Sequence, residues 1–123
     1  MFELTVKSHI SSAHHLNNYD GKCANIHGHN WQVAVSVKGS QLNDDGLLVD
    51  FVILKQRIND LLETLDHKNL NEISPFDKLN PTSENLAKYI FEQLKIKFSD
   101  LPAKVSKVVI LETENVECAY WED

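Results

Sequence analysis

From Phe2 to Ile10 the apolar residues fall on even numbers (Phe2, Leu4, Val6, Ile10), with Glu3, Thr5, Lys7 and His9 between them. Side chains of an extended chain alternate between two faces, so this spacing predicts a strand with one buried face. After a polar loop at Asn17–Lys22 the alternation resumes, with Trp31, Val33, Val35 and Val37 separated by Gln32, Ala34 and Ser36. This second strand ends at Gly39. Asn43-Asp44-Asp45-Gly46 is turn chemistry, and Asp50 stands where an N-cap would, before Phe51, Leu54, Ile58, Leu61, Leu62 and Leu65 at helical spacing. The first helix is therefore expected from Phe51 to Leu65.

Between Asp66 and Pro81 the breakers Ser74-Pro75 and Asn80-Pro81 predict a long loop, the kind of segment that often carries function. Thr82 or Ser83 can cap a second helix, in which Leu86, Ile90, Leu94 and Phe98 recur and Glu84 lies near the positive end of the helix dipole. Val105 to Glu114 is rich in β-branched residues, and Val116 to Trp121 can pair back across Asn115. The order ββααββ predicts an α+β domain, an antiparallel sheet with two helices on one face.

Size and charge narrow the function classes. A chain of 123 residues is one domain, 1–123, with room for a real core. Twelve Lys and Arg against 18 Asp and Glu give a formal charge of −6 with no basic tract, which argues against nucleic acid and anionic membranes as partners. No apolar stretch approaches bilayer length, and no charged leader precedes an apolar run, so a soluble, unprocessed protein is expected. The two cysteines, Cys23 and Cys118, lie far apart and make no disulfide framework, which fits a reducing cytoplasm.

Chemistry concentrates in Cys23-Ala24-Asn25-Ile26-His27-Gly28-His29. Two histidines one residue apart on a strand project to one face, here the face of Trp31 and Val33. His14 shares the even parity of the first strand's apolar face, so antiparallel pairing would bring three imidazoles to one end of the sheet. Three neutral nitrogens suit zinc with an open fourth position. Cys23 is then either a thiolate base beside the metal or a fourth ligand that closes a structural site. His9 and His15 have no partner by spacing, and Cys118 reads as a small buried hydrophobe.

Asp66-His67 offers an acid and a proton carrier, or simply a histidine favouring a helix C-terminus. Glu112 breaks the apolar run Val108-Val109-Ile110-Leu111. It is either a strand-end surface residue or an anchor for a ligand's donor groups.

Ser12-Ala13-His14, Cys23 to Asn30, Val49-Asp50-Phe51, Leu65 to Asn71, Asn80 to Asn85 and Leu111-Glu112-Thr113 together resemble the 6-pyruvoyltetrahydropterin synthase superfamily, above all its bacterial 6-carboxytetrahydropterin synthase branch. The resemblance covers nearly the whole chain. It implies the T-fold, zinc on His14, His27 and His29, Cys23 as the proton-abstracting thiolate, and Asp66 and His67 as its relay. It also implies that Glu112 holds the pterin ring and is counted with the catalytic set, and that Thr82 and Ser83 contact the pterin across a subunit interface. Only three residues separate Cys23 from His27, the spacing of the carboxypterin branch, where animal pyruvoyl enzymes typically have five.

The implied reaction converts 7,8-dihydroneopterin triphosphate to 6-carboxy-5,6,7,8-tetrahydropterin with loss of acetaldehyde and triphosphate, in queuosine biosynthesis. The implied assembly is a homo-oligomer, a trimer or a pair of trimers. His15 stands where the family commonly has Arg, leaving Lys22 as a local cation for the triphosphate. A pyruvoyltetrahydropterin synthase and a non-catalytic structural-zinc module are the competing functions.

Overall fold

The computed structural model describes residues 1–123. Four strands, β1 (Phe2–His14), β2 (His27–Gly39), β3 (Lys104–Thr113) and β4 (Val116–Tyr120), form one antiparallel sheet in chain order. Two helices, α1 (Phe51–Glu63) and α2 (Ser83–Lys97), lie between β2 and β3 in sequence, so the ββααββ expectation holds. Short 3₁₀ turns occupy Lys22–Ala24 and Leu70–Glu72.

Alternation along the strands explains the layering. Val6, Ile10, Trp31, Val33, Val35, Val108 and Ile110 all point to one face and are buried there. Against them α1 buries Leu54, Ile58, Leu61 and Leu62, and α2 buries Leu86, Ala87, Ile90, Phe91 and Leu94. Each such large aliphatic side chain contributes about 1.5–3 kcal/mol of transfer free energy, so this single core holds the helices to the sheet. Both helices begin at the expected caps, since Asp50 accepts from Val52 N–H and Thr82 Oγ1 accepts from Asn85 N–H. Neither helix is long and apolar enough to cross a membrane.

Two boundaries differ from the sequence pattern. The first two strands run past their apolar stretches, β1 to His14 and β2 back to His27, because the inward positions there are Ser12, His14, His27 and His29. Backbone pairing continues although hydrophobic patterning stops. Helix α1 ends at Glu63, with Thr64 as C-cap, yet Leu65 remains fully buried just beyond it.

The loop after α1 does not hang free. Ala13 N–H donates to the Lys68 carbonyl and His67 N–H donates to the Ser11 carbonyl, so residues 66–69 lie along the outer edge of β1 beside the histidines.

Candidate functional site

The register of β1 and β2 sets His14 opposite His27 and Ser12 opposite His29. Ring centroids are 4.6 Å apart for His14 and His27, 5.2 Å for His14 and His29, and 4.8 Å for His27 and His29. Trp31 closes the floor, its ring edge-on to His14 at 4.9 Å. The three imidazoles expected from strand parity do converge.

The outer nitrogens of His14 and His27 are committed. His14 Nδ1–H donates to the Pro81 carbonyl and His27 Nδ1–H to the Asn25 carbonyl, each at 2.7 Å. A carbonyl only accepts, so in the neutral ring the proton sits on Nδ1 and the lone pair on Nε2. Metal-binding histidines are oriented in this way by a second hydrogen bond. The Nε2 atoms of His14 and His29 are buried and find no hydrogen-bond partner. Leaving such a nitrogen unsatisfied costs about 1–3 kcal/mol, which a bound cation would offset.

Glu112 completes the group. One oxygen from Glu112 and one nitrogen from each of His14, His27 and His29 all lie within 4.8 Å of one another, a set that could hold a metal ion. Glu112 Oε1 is 2.8 Å from His29 Nε2 and 3.9 Å from His14 Nε2, but no hydrogen bond forms along either approach. Ser83 Oγ–H donates to the other oxygen, Oε2, at 3.1 Å. The strand pairing explains the aim of the side chain: Leu111 pairs with Glu117 and Thr113 with Val116, so Glu112 is the extra residue of a β-bulge. Bulges re-aim a side chain at the end of a ladder.

Burial is the main cause that holds the His14 and His29 imidazoles below the usual histidine range. For His14 the neighbouring imidazoles add to this, while the Pro81 carbonyl and Glu112 oppose it. Both rings are thus neutral and ready to donate a lone pair near neutral pH. The same shift has a stability consequence. Below the unfolded value of 6.5 the unfolded chain binds protons that these two folded rings refuse, so their contribution is intact above 6.5 and is lost as pH falls beneath it. Urea midpoints of metal-free protein should be flat from pH 7 to 8 and decline below 6.5; a midpoint rising on acidification would contradict this.

On the far side of β1, Asp66 Oδ1 accepts from Ser11 N–H at 2.7 Å and Oδ2 lies 3.5 Å from His67 Nε2. His67 is 81% exposed and adopts φ 55°, a left-handed conformation that a non-glycine residue rarely holds without support. Its backbone bond to Ser11 supplies that support. A cleft of about 480 Å³ runs between His29 on β2 and His67 on the loop. A smaller cavity of about 170 Å³ is lined by Ser83, Glu112 and Cys118. The His29–Glu112 contact joins one to the other.

Cys23 is half-buried in the 3₁₀ turn, where its carbonyl accepts from Leu16 N–H. The structure does not bring it into the four-residue donor group, where Glu112 stands instead. Thr82 spends its Oγ1 acceptor on the α2 cap, whereas Ser83 meets Glu112 within the same chain. Sequence reasoning missed three partners: the Pro81 and Asn25 carbonyls and the place of Glu112 among the imidazoles. Only the last had a signal, an inward parity shared with Val108 and Ile110.

Comparison with known proteins gives the family and the fold. The family profile described as 6-pyruvoyl tetrahydropterin synthase matches residues 3–123. A Dictyostelium discoideum protein named 6-pyruvoyl tetrahydrobiopterin synthase is 40% identical over 97 residues, covering 77% of this chain and 70% of its own. A Bacillus subtilis protein named 6-carboxy-5,6,7,8-tetrahydropterin synthase is 33% identical over 126 residues, covering 97% and 84%. The solved structure of Caenorhabditis elegans 6-pyruvoyl tetrahydropterin synthase superposes with a TM-score of 0.90 at 32% identity, covering 99% of this chain and 96% of that one. The four-stranded sheet with its helices is thus the T-fold, and the chain belongs to the 6-pyruvoyl tetrahydropterin synthase family.

Proposed function

We propose that the chain is a zinc-dependent lyase that converts 7,8-dihydroneopterin triphosphate to 6-carboxy-5,6,7,8-tetrahydropterin, releasing acetaldehyde and triphosphate, in queuosine biosynthesis. The observation that carries the reading is the buried, unpartnered Nε2 of His14 facing His27 and His29, with the outer nitrogens of His14 and His27 tied to carbonyls. Nitrogen donors with this orientation fit zinc. Zinc held there would act as a Lewis acid toward the hydroxyls of the pterin side chain.

The chain's own residues divide the remaining work. Cys23 takes a carbon-bound proton of the substrate, and His67 on the loop exchanges protons with solvent while Asp66 keeps it in place. Glu112 accepts the ring's N–H donors, with Ser83 steadying the carboxylate and Thr82 beside it at the start of α2. Lys22 neighbours Cys23 and is the local cation for the triphosphate. A homo-oligomer of trimers belongs to the same reading.

Glu112→Ala should weaken pterin binding about 10- to 100-fold, the worth of charge-assisted hydrogen bonds, in a fluorescence titration. Unchanged affinity would remove the anchoring role.

The pyruvoyl reaction is the second reading, favoured by the name of the 40% identical Dictyostelium relative. The three-residue gap between Cys23 and His27 favours the carboxypterin product. Products formed from 7,8-dihydroneopterin triphosphate decide. Acetaldehyde together with carboxypterin supports the proposal, and a pterin that keeps its three-carbon side chain supports the second reading. A structural-zinc module with Cys23 as the fourth ligand is disfavoured because Cys23 lies outside the donor group.

A further inference from the structure

Glu112 has two oxygens with separate surroundings. Oε2 accepts from Ser83 Oγ, which lines the small cavity at the start of α2 together with Glu112, while Oε1 lies 2.8 Å from His29 Nε2 and 3.9 Å from His14 Nε2. The His29 Nε2 and Glu112 Oε1 atoms lie 2.8 Å apart with no aligned hydrogen bond between them, and the buried Nε2 of His14, whose proton is on Nδ1, lies 3.9 Å from the same oxygen. A cation among the four donor atoms of His14, His27, His29 and Glu112, which all lie within 4.8 Å of one another, would satisfy the unpartnered nitrogens and the carboxylate together. The β-bulge and the Ser83 bond hold the carboxylate in this position even though its side chain is 30% exposed and could turn to solvent.

We infer that Glu112 is the fourth metal donor of the substrate-free protein and leaves the metal when a pterin ring arrives, so that one carboxylate serves in turn as resting-state cap and ring anchor. The inference rests on the pterin reading above and deepens it. With Oε1 on the cation, the metal set is closed by His14, His27, His29 and Glu112, and bulk water has no vacant position to occupy. A pterin ring offers N–H donors that compete for the same carboxylate. Moving Glu112 onto the ring opens the fourth position only when substrate is present to fill it. Ser83 acts as a positioning residue, holding Oε2 while Oε1 changes partner.

Cobalt(II) loaded in place of zinc reports this exchange, because the position and intensity of its visible bands change when a carboxylate donor is replaced by solvent. The expected result is that Glu112→Gln changes the band positions and intensities and weakens zinc binding about tenfold, on the scale of groups that support a metal. Unsubstituted pterin, which has no side-chain hydroxyl, should shift the parent spectrum toward that of Glu112→Gln as it binds. Ser83→Ala should give a smaller change in the same direction, and circular dichroism checks that both variants fold. Identical cobalt spectra for parent and Glu112→Gln would overturn the inference. Pterin that binds without changing the parent spectrum would overturn the exchange. Either failure leaves the lyase reading standing, since product formation by the zinc-loaded parent tests that reading separately.

Discussion

Cys23→Ala is expected to keep one zinc per chain and to lose turnover by about 10²–10⁴-fold, the usual worth of a positioned proton-transfer group. The expectation follows from where the structure puts the thiol. Cys23 sits on the 3₁₀ turn just before β2, close in sequence to His27, but the metal-capable group is assembled without it. On the proposed function its loss removes a base and leaves the nitrogen donors as they were. Metal analysis alongside steady-state kinetics checks both halves. A variant that loses zinc along with activity would make Cys23 a ligand and favour the closed structural site.

His14→Ala should do the opposite and empty the site, weakening zinc binding by about a hundredfold or more, since even partners that merely orient a ligand are worth 10- to 100-fold. His14 is the most deeply placed of the three histidines, 2% exposed and bonded to the Pro81 carbonyl. Metal-free stability should change little by comparison. Truncation removes packing against Trp31 and orphans the Pro81 carbonyl, but it also removes a buried unpaired nitrogen, and the opposing effects are each on the order of 1–3 kcal/mol. Isothermal titration with zinc and urea unfolding of the stripped protein measure the two quantities separately. Unchanged zinc affinity would show that His14 is a core residue and not a ligand.

The parity of apolar positions was enough to place Trp31, Val33 and Val35 opposite the β1 core and to bring His14, His27 and His29 to one end of the sheet. It failed at the ends of those same strands, because a site replaces inward hydrophobes by Ser12 and the histidines and so erases the pattern that marks a strand. Helix caps were legible at Asp50 and Thr82 because capping is local chemistry. The hydrogen bonds of His14 to Pro81 and of Ser11 to Asp66 were not legible, since each joins positions more than fifty residues apart and uses a backbone atom that every residue possesses. Glu112 lay between these cases. Its inward parity could be read, but the bulge that turns its carboxylate toward His29 depends on the register with β4.

The central claim is that three imidazoles on β1 and β2 make a metal-dependent carbon–carbon lyase of this chain. Stepwise return of zinc to stripped protein, with acetaldehyde release from 7,8-dihydroneopterin triphosphate followed at each step, tests it directly. No release is expected without metal, followed by a linear rise that stops at one zinc per chain. Release that proceeds at full rate in stripped protein, or none at any zinc level, would contradict it.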